Sequence, residues 1–185
     1  METGDDRELV RGAQQGDLKA YEQLVQRHER KAYGLAFSLM GNREDAEDML
    51  QESFFRAFKA LPSFRGDSSF QTWFYRIVIN RCRSEKRKRS WARLFVREEK
   101  EETMEEEVSV QETPRDQAAL SELSKKIGEA VEALPFKQRL VFTMKALQGM
   151  KVREIGDVLH LRPGTVKAHL FQATQKVQRS LNGYL

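Results

Sequence analysis

The side chains best suited to binding chemistry lie between Ser63 and Arg89, in the sequence SFRGDSSFQTWFYRIVINRCRSEKRKR. A short polar loop, Ser63 to Ser69, is followed by aromatic residues, an amide and a run of cations. Aromatic side chains can stack on unpaired bases, and cations can contact phosphates. The stretch is equally typical of an aromatic core helix with a solvated basic end, so taken alone it leaves both interpretations open.

Helical periodicity separates two groups of side chains in this stretch. Ser68 and Gln71 have the spacing of a capping box, which predicts that a helix begins here. Four apolar residues recur at helical spacing and are expected to face a core: Phe70, Phe74, Ile77 and Val78. The residues that remain for a nucleic acid are Trp73, Arg76, Asn80 and Arg83.

Charge is distributed unevenly along the 185 residues, although the formal net charge is only +4. Residues 1–93 carry 18 Lys and Arg against 14 Asp and Glu, and residues 119–185 carry 11 against 5. Residues 94–118 reverse the balance, with 3 basic and 9 acidic residues. Two basic blocks around an acidic segment indicate two modules that meet a polyanion, joined by a flexible acidic linker.

Several classes of protein are disfavoured by composition. Cys82 is the only cysteine, which excludes an intramolecular disulfide. No apolar run approaches the roughly 18 residues of a membrane span, and the acidic N-terminus is unlike a signal peptide. No nucleophile–base pair, phosphate-binding loop or metal-ligand spacing is visible. We therefore expect a cytoplasmic, soluble binding protein that is not an enzyme and uses no cofactor or metal.

The predicted fold class is all-α, because prolines lie only at plausible boundaries and no β-alternation is evident. Asp17 and Asn42 are expected to cap helices, and Gly41 to end one. His28 is expected to be an ordinary packed or exposed helix residue. On the helix after Asn42, five residues lie mainly off the apolar stripe and form either a protein-docking face or a plain charged face: Asp48, Gln51, Glu52, Phe55 and Arg56.

Residues 152–181 have the pattern of a helix-turn-helix. The segment VREIGDVL forms the first helix, and Gly156 permits a close approach between helices. After the connection His160 to Arg162, the second helix buries Val166, Leu170, Ala173 and Val177. Its other residues would face a major groove: Thr165, Lys167, Ala168, His169, Phe171, Gln172 and Lys176.

Taken together, these motifs resemble the extracytoplasmic-function (ECF) group of bacterial RNA polymerase sigma factors over nearly the whole chain. SFRGDSSFQTWFYRIVINR resembles the promoter-melting and −10-reading part of sigma domain 2, and EDAEDMLQESFFRAF resembles its polymerase-docking segment. LPFKQRLVF, VREIGDVL and GTVKAHL resemble sigma domain 4. The resemblance implies domain 2 in residues 1–93, a linker in 94–118 and domain 4 in 119–185.

The resemblance also assigns roles to particular residues. Asp48, Gln51, Glu52, Phe55 and Arg56 would dock on the polymerase β′ clamp, and domain 4 on the β flap. The −10 element would be contacted by Phe64, Arg65, Gly66, Asp67, Ser68, Ser69, Trp73, Arg76, Asn80 and Arg83. The −35 element would be read by Arg162, Thr165, Lys167, Ala168, His169, Phe171, Gln172 and Lys176. Related sequences often carry arginine where this chain has His169 and Gln172, which leaves its −35 preference open.

Three partners follow from the resemblance: core RNA polymerase, promoter DNA and an anti-sigma factor, of a kind often bound to a membrane. The anti-sigma factor would cover the docking and DNA-reading faces. The main alternative is a two-domain transcription activator that has a similar helix-turn-helix. Such an activator would bind duplex DNA without core polymerase and would have no use for the loop-and-aromatic stretch.

Overall fold

The computed structural model describes residues 4–95 and 115–182, and both ranges are helical, with no strand in either. A 3₁₀ turn spans Leu61–Ser63, and a π turn spans Thr143–Leu147. The all-α prediction is confirmed. The helices are α1 Gly4–Gln14, α2 Leu18–Met40, α3 Arg43–Ala60, α4 Phe70–Phe95, α5 Arg115–Glu132, α6 Phe136–Phe142, α7 Val152–Leu159 and α8 Pro163–Leu181.

Side-chain caps set the ends of α2 and α3. Asp17 accepts hydrogen bonds from the backbone N–H groups of Lys19 and Ala20, which would otherwise lack partners in the first turn of α2. Gly41 ends α2 with a φ of 87°, in the left-handed region that glycine adopts without strain. Asn42 then accepts from the backbone N–H of Asp45. All three predicted caps are confirmed.

The cap of α4 differs from the prediction by one residue. Ser69, rather than Ser68, accepts from the backbone N–H of Thr72, at 3.0 Å. The Ser69 hydroxyl also donates to the buried Thr72 hydroxyl at 2.8 Å, so the same residue caps the helix and satisfies a buried polar group. The Gln71 side chain donates to the Tyr75 hydroxyl instead of completing a capping box.

The first four helices enclose an aromatic core. Helical spacing predicts a buried stripe on α3, and its residues are buried: Ala46, Met49, Leu50, Ser53 and Ala57. Helix α4 contributes fully buried rings from Phe70, Phe74 and Tyr75. The Phe70 and Phe74 rings stack with their centroids 5.8 Å apart. Val78 is buried as predicted, whereas Ile77 is only half-buried. This packing fixes the angle at which α4 leaves the polar loop.

His28 packs under this core and joins α1 to α2. Its Nε2 lies 2.9 Å from the Asp6 carboxylate, and its ring centroid lies 5.1 Å from that of Phe70. Burial lowers the pKa of His28, while the charge of Asp6 opposes the shift. His28 is therefore a packed residue, one of the two outcomes expected for it. Its ring packs against Phe70, the first residue of α4 after the loop.

The last four helices form a second, smaller layer. Val131 and Leu134, at the α5 end, pack with Ala173, Val177 and Leu181 of α8. Leu140, Val141 and Met144 are buried, but Leu147 is 61% exposed. Leu147 is the last residue of the π turn, which holds more residues per turn than an α-helix and so shifts Leu147 off the apolar stripe. Helical spacing from Leu140 and Met144 predicts that Leu147 faces the core, and the π turn is the reason that this prediction is wrong.

The two layers share one continuous core instead of standing apart. Leu140, Met144, Ile155 and Val158 belong to the same buried cluster as the aromatic core of the first half. Polar contacts also cross the boundary. Arg139 donates to the backbone oxygen of Ser38, at 3.3 Å, and Gln148 donates to that of Lys31, at 2.9 Å.

The predicted linker, residues 94–118, is only partly covered by the structure. Helix α4 continues to Phe95 and α5 begins at Arg115, so both ends of the predicted linker are helical. Its central part lies outside the described residues. The division into domains 1–93 and 119–185 stays a prediction.

Candidate nucleic-acid and protein interfaces

The loop at residues 64–69 forms one wall of an open cleft. Gly66 has a φ of 76°, the left-handed conformation that the turn of the loop requires. The Gln14 amide of α1 donates to the backbone oxygens of Leu61, at 3.0 Å, and Phe64, at 2.8 Å. These bonds hold the start of the loop against α1, and the cleft of about 490 Å³ lies between them.

The lining of this cleft combines cations, aromatic rings and small polar groups. The loop contributes Phe64, Arg65, Gly66 and Ser68, and Phe70 stands at the base of α4. The α1 side contributes Asp6, Arg7, Val10, Arg11 and Gln14, none of which was among the predicted site residues. The sequence places Arg7 and Arg11 one helical turn apart, but their contact with a loop fifty residues away has no local signal.

Trp73, predicted to contact the −10 element, also packs against the loop. It is half-buried, with its ring centroid 4.8 Å from that of Phe64 and 5.8 Å from that of Phe70. Pairs at these separations lie within the range of favourable aromatic contacts. Trp73 therefore links the loop to the core and keeps only part of its ring accessible to a ligand.

Arg76, Asn80 and Arg83 follow one another along a single face of α4. Asn80 and Arg83 are exposed, whereas Arg76 is half-buried and its Nη2 donates to the backbone oxygen of Asp157 in α7, at 2.6 Å. All three line a cleft of about 370 Å³ whose opposite wall includes Phe136 and His160. The helix-turn-helix layer thus covers part of the predicted −10 face.

A second cleft on α4 is basic and opens on the other side of Asn80. It measures about 600 Å³ and is lined by Arg56, Ala60, Ile77, Asn80, Arg81, Arg83, Ser84 and Arg87. Arg81, Ser84 and Arg87 extend the predicted set toward the C-terminal end of α4. A concave surface with clustered guanidinium groups suits the phosphates of a nucleic-acid backbone.

The predicted docking face of α3 is largely open to solvent. Asp48, Gln51 and Arg56 are exposed, and the Phe55 ring is 58% exposed with the Lys59 ammonium 4.2 Å from its centroid. Glu52 is half-buried. A hydrogen bond from Arg81 lowers the pKa of the Glu52 carboxyl below its ordinary value, against the opposing effect of burial.

The helix-turn-helix has the predicted boundaries. His160 adopts the left-handed conformation (φ 53°) that turns the chain between α7 and α8, and Arg162 occupies the N-cap position of α8. A Cβ placed on Gly156 would lie 2.7 Å from the backbone oxygen of Leu161, which explains the glycine at this crossing. The exposed predicted readers are Arg162, Thr165, Lys167, Ala168, Phe171, Gln172 and Lys176.

His169 is the exception among the predicted −35 residues. It is half-buried, and its Nδ1 is enclosed by protein atoms. Gln172 remains exposed while its side-chain oxygen accepts a hydrogen bond from Gln138 of α6, at 2.8 Å. The helical pattern suggested that both side chains were fully available to DNA. The enclosed Nδ1 of His169 and the bonded oxygen of Gln172 reduce the number of polar atoms that can contact it.

Comparison with known proteins identifies the family. The model of Sigma-70 region 2 matches residues 24–92, and that of Sigma-70 region 4 matches residues 124–177. The RNA polymerase sigma-H factor of Pseudomonas aeruginosa is 30% identical over 184 residues, covering 97% of this chain and 95% of the relative. The chain belongs to the ECF group of the sigma-70 family. The ECF sigma-E factor of Salmonella typhimurium is 32% identical over 180 residues, covering 95% and 94%.

Solved structures agree with this assignment. CnrH in complex with the cytosolic domain of CnrY has a TM-score of 0.73 at 27% identity, covering 97% of this chain and 99% of that one. The sigma factor RpoE of Bartonella quintana, in complex with the anti-sigma factor NepR, has the same fold, with a TM-score of 0.73 at 21% identity.

As a member of this group, the chain is an alternative sigma factor that directs promoter-specific transcription initiation. Sigma factors are not enzymes. The alternative of a two-domain activator does not account for the match to region 2. Within residues 4–95 and 115–182, none of the helices has the length and apolar character that a bilayer crossing requires.

Proposed function

We propose that this sigma factor opens promoters by capturing a base of the −10 non-template strand in the cleft between α1 and the loop at residues 64–69. The observation that carries the proposal is the lining of that cleft. Arg7, Arg11 and Arg65 bring positive charge to the same space as the half-buried ring of Phe64. Cations suit the phosphates of a single strand, and a ring suits the face of an unstacked base.

The energetics favour a nucleating role. Separating stacked base pairs costs on average ~1.4 kcal/mol per step. A base captured on an aromatic surface returns ~1–3 kcal/mol. One or two captured bases offset the opening of a few steps and no more, so core polymerase must complete the bubble.

The strand would continue from the loop along α4. After Trp73, the residues Arg76, Asn80 and Arg83 line the cleft on α4 in order, and Arg87 would hold phosphates further along the helix. The exposed residues of α8 would read the −35 duplex, and the α3 face around Gln51 and Phe55 would dock on the β′ clamp.

An anti-sigma factor is the expected negative regulator. The solved relatives CnrH and RpoE are seen in complex with CnrY and NepR, respectively. A partner of this kind would cover the α3 face and the DNA-reading faces of α4 and α8.

Transcription with purified components tests the proposal. We expect specific initiation from a promoter library only when the chain is added to core RNA polymerase. Arg65→Ala, in the exposed loop, should reduce permanganate reactivity of the −10 region, because a phosphate-binding cation is lost, while leaving core binding unchanged. Lys167→Ala should weaken duplex binding at −35, and Arg179→Met, in the last turn of α8, serves as a control.

Each part of the proposal can fail separately. Duplex binding without association to core polymerase would contradict the docking assignment. Unchanged promoter opening by Arg65→Ala together with Arg11→Ala would remove the cleft from the mechanism, even if initiation still depended on the chain.

A further inference from the structure

A row of six charged side chains of alternating sign crosses from α4 to α3. Arg89 pairs with both oxygens of Asp45 and, at 3.2 Å, with Glu85. Arg81 donates to Glu85 at 3.0 Å and also pairs with Glu52. Arg56 then donates to Glu52 through Nε and Nη2, at 3.0 Å and 2.6 Å.

Arg81 is the centre of this row and is shielded from water. Its side chain is 16% exposed and that of Glu85 is 13% exposed. Ion pairs at such positions are screened less by solvent and salt than pairs on an open surface. The hydrogen bond from Arg81 is also the main cause of the lowered pKa of the Glu85 carboxyl.

The row leaves Glu52 with both carboxylate oxygens bound. Arg56 occupies Oε1 and Arg81 occupies Oε2. Arg56 is on the same helix, one turn away, and is itself exposed, so it follows Glu52 in any movement. Arg81 is on α4 and is held by Glu85, so among the described residues it is the one that ties the Glu52 carboxylate to a second element.

We propose that Arg81 is a positioning residue that fixes the Glu52 carboxylate on the α3 docking face in the orientation used to bind core polymerase. This inference rests on the proposed docking role of the α3 face. A glutamate held before binding loses less rotamer freedom when the partner arrives, so binding is stronger without Arg81 touching the partner. Because Asn80 and Arg83 flank Arg81 on α4, the same contact joins the docking helix to the DNA-reading helix.

A double-mutant cycle in the full-length protein tests the proposal. The measurement is the Kd for purified core RNA polymerase, obtained by titration with Arg81→Met, Glu52→Gln and the double variant. Arg81→Met should weaken binding about two- to tenfold, the equivalent of one newly ordered side chain. In the Glu52→Gln background the same change should have no further effect. Arg81→Lys should restore part of the affinity, because lysine keeps one charged donor but not the fork that reaches both carboxylates.

Controls separate positioning from loss of folding. Thermal unfolding of each variant shows whether it is folded at the assay temperature, and Arg179→Met controls for removal of one arginine from the surface. Where Arg81→Met does not fold, Glu85→Gln frees the other end of Arg81 and should weaken polymerase binding in the same direction.

The outcomes distinguish this inference from the proposed function. Normal polymerase affinity in Glu52→Gln combined with Phe55→Ala would refute the docking face itself. Weakened binding by Glu52→Gln with normal binding by Arg81→Met would overturn the positioning role alone. Equal losses from Arg81→Met in both backgrounds would also overturn it, since Arg81 would then act without Glu52.

Discussion

Neighbouring residues of α4 have different roles because one side of the helix is buried and the other is exposed to solvent. Phe74 has no exposed surface, and its ring stacks on that of Phe54 with centroids 4.4 Å apart. Asn80, less than two turns later, is exposed and borders two clefts. Trp73 is intermediate, since it joins the loop to the core.

These positions predict a graded effect of alanine substitution. Phe74→Ala should lower the free energy of unfolding by about 3–5 kcal/mol, as expected for removal of a buried ring. Asn80→Ala should change it by less than about 0.5 kcal/mol, as for an exposed position. Trp73→Ala should fall between the two, because its side chain is half-buried. Urea denaturation followed by far-UV circular dichroism measures all three.

The functional order should differ from the stability order. Asn80→Ala should keep its affinity for core polymerase and still impair promoter opening. If Asn80→Ala and Phe74→Ala destabilised the fold equally, the division of α4 into a packing side and a DNA side would be wrong.

The individual elements differ in how well the sequence predicts them. The caps at Asp17 and Asn42 and the α3 stripe follow from contacts within a few residues, so periodicity and spacing suffice to find them. Helical spacing with Tyr21 and Leu24 predicts that Leu18 lies on the buried stripe of α2, but Leu18 is the first residue of the helix and is 66% exposed.

Contacts between distant residues had no comparable signal. The bonds of Gln14 to Phe64, Arg81 to Glu52 and Arg89 to Asp45 span 50, 29 and 44 positions in the chain. Local patterns therefore predicted the exposed faces of α4 and α8 but not the α1 wall of the cleft. Likewise, they could not show that Arg76 would bond to α7.

The crossing of α7 and α8 leaves no room for an added methyl group at Gly156. Gly156→Ala should destabilise the helix-turn-helix by about 1–3 kcal/mol, because its Cβ would meet backbone, which yields less readily than a side chain. We expect weaker −35 duplex binding, measured by fluorescence anisotropy, and a lower unfolding midpoint. Gly128→Ala in α5 is the matched control, since its Cβ would meet open space. Equal behaviour of the two variants would exclude the close approach as the reason for Gly156.

At the scale of the whole molecule, the packing of the two layers has to be compared with the spacing of the two promoter elements that the chain is proposed to bind. The −10 and −35 elements lie about one and a half helical turns apart, or ~50 Å. In the compact arrangement, α7 packs on α4 and Arg76 is bonded to Asp157. With the −10 element assigned to α4 and the −35 element to α8, as proposed, we expect the two layers to separate when the promoter binds.

Energy transfer between dyes at Lys19→Cys and Arg179→Cys measures this separation. Burial raises the pKa of the native Cys82 thiol to about 12, so it should resist maleimide at neutral pH and leave the two introduced sites to be labelled. Transfer should be efficient in the free chain and should fall when core polymerase and promoter are added together. Unchanged transfer in an initiating complex would contradict separation of the layers.

The shared core has a practical consequence for work with fragments. Ile79 of α4 faces Leu140 and Val158 across the boundary between the layers. A fragment ending after α4 would leave Ile79 in water, and a fragment beginning at α5 would do the same to Leu140 and Val158. Newly exposed apolar patches promote self-association. Solubility therefore makes the intact chain, rather than either half, the better unit for purification and binding assays.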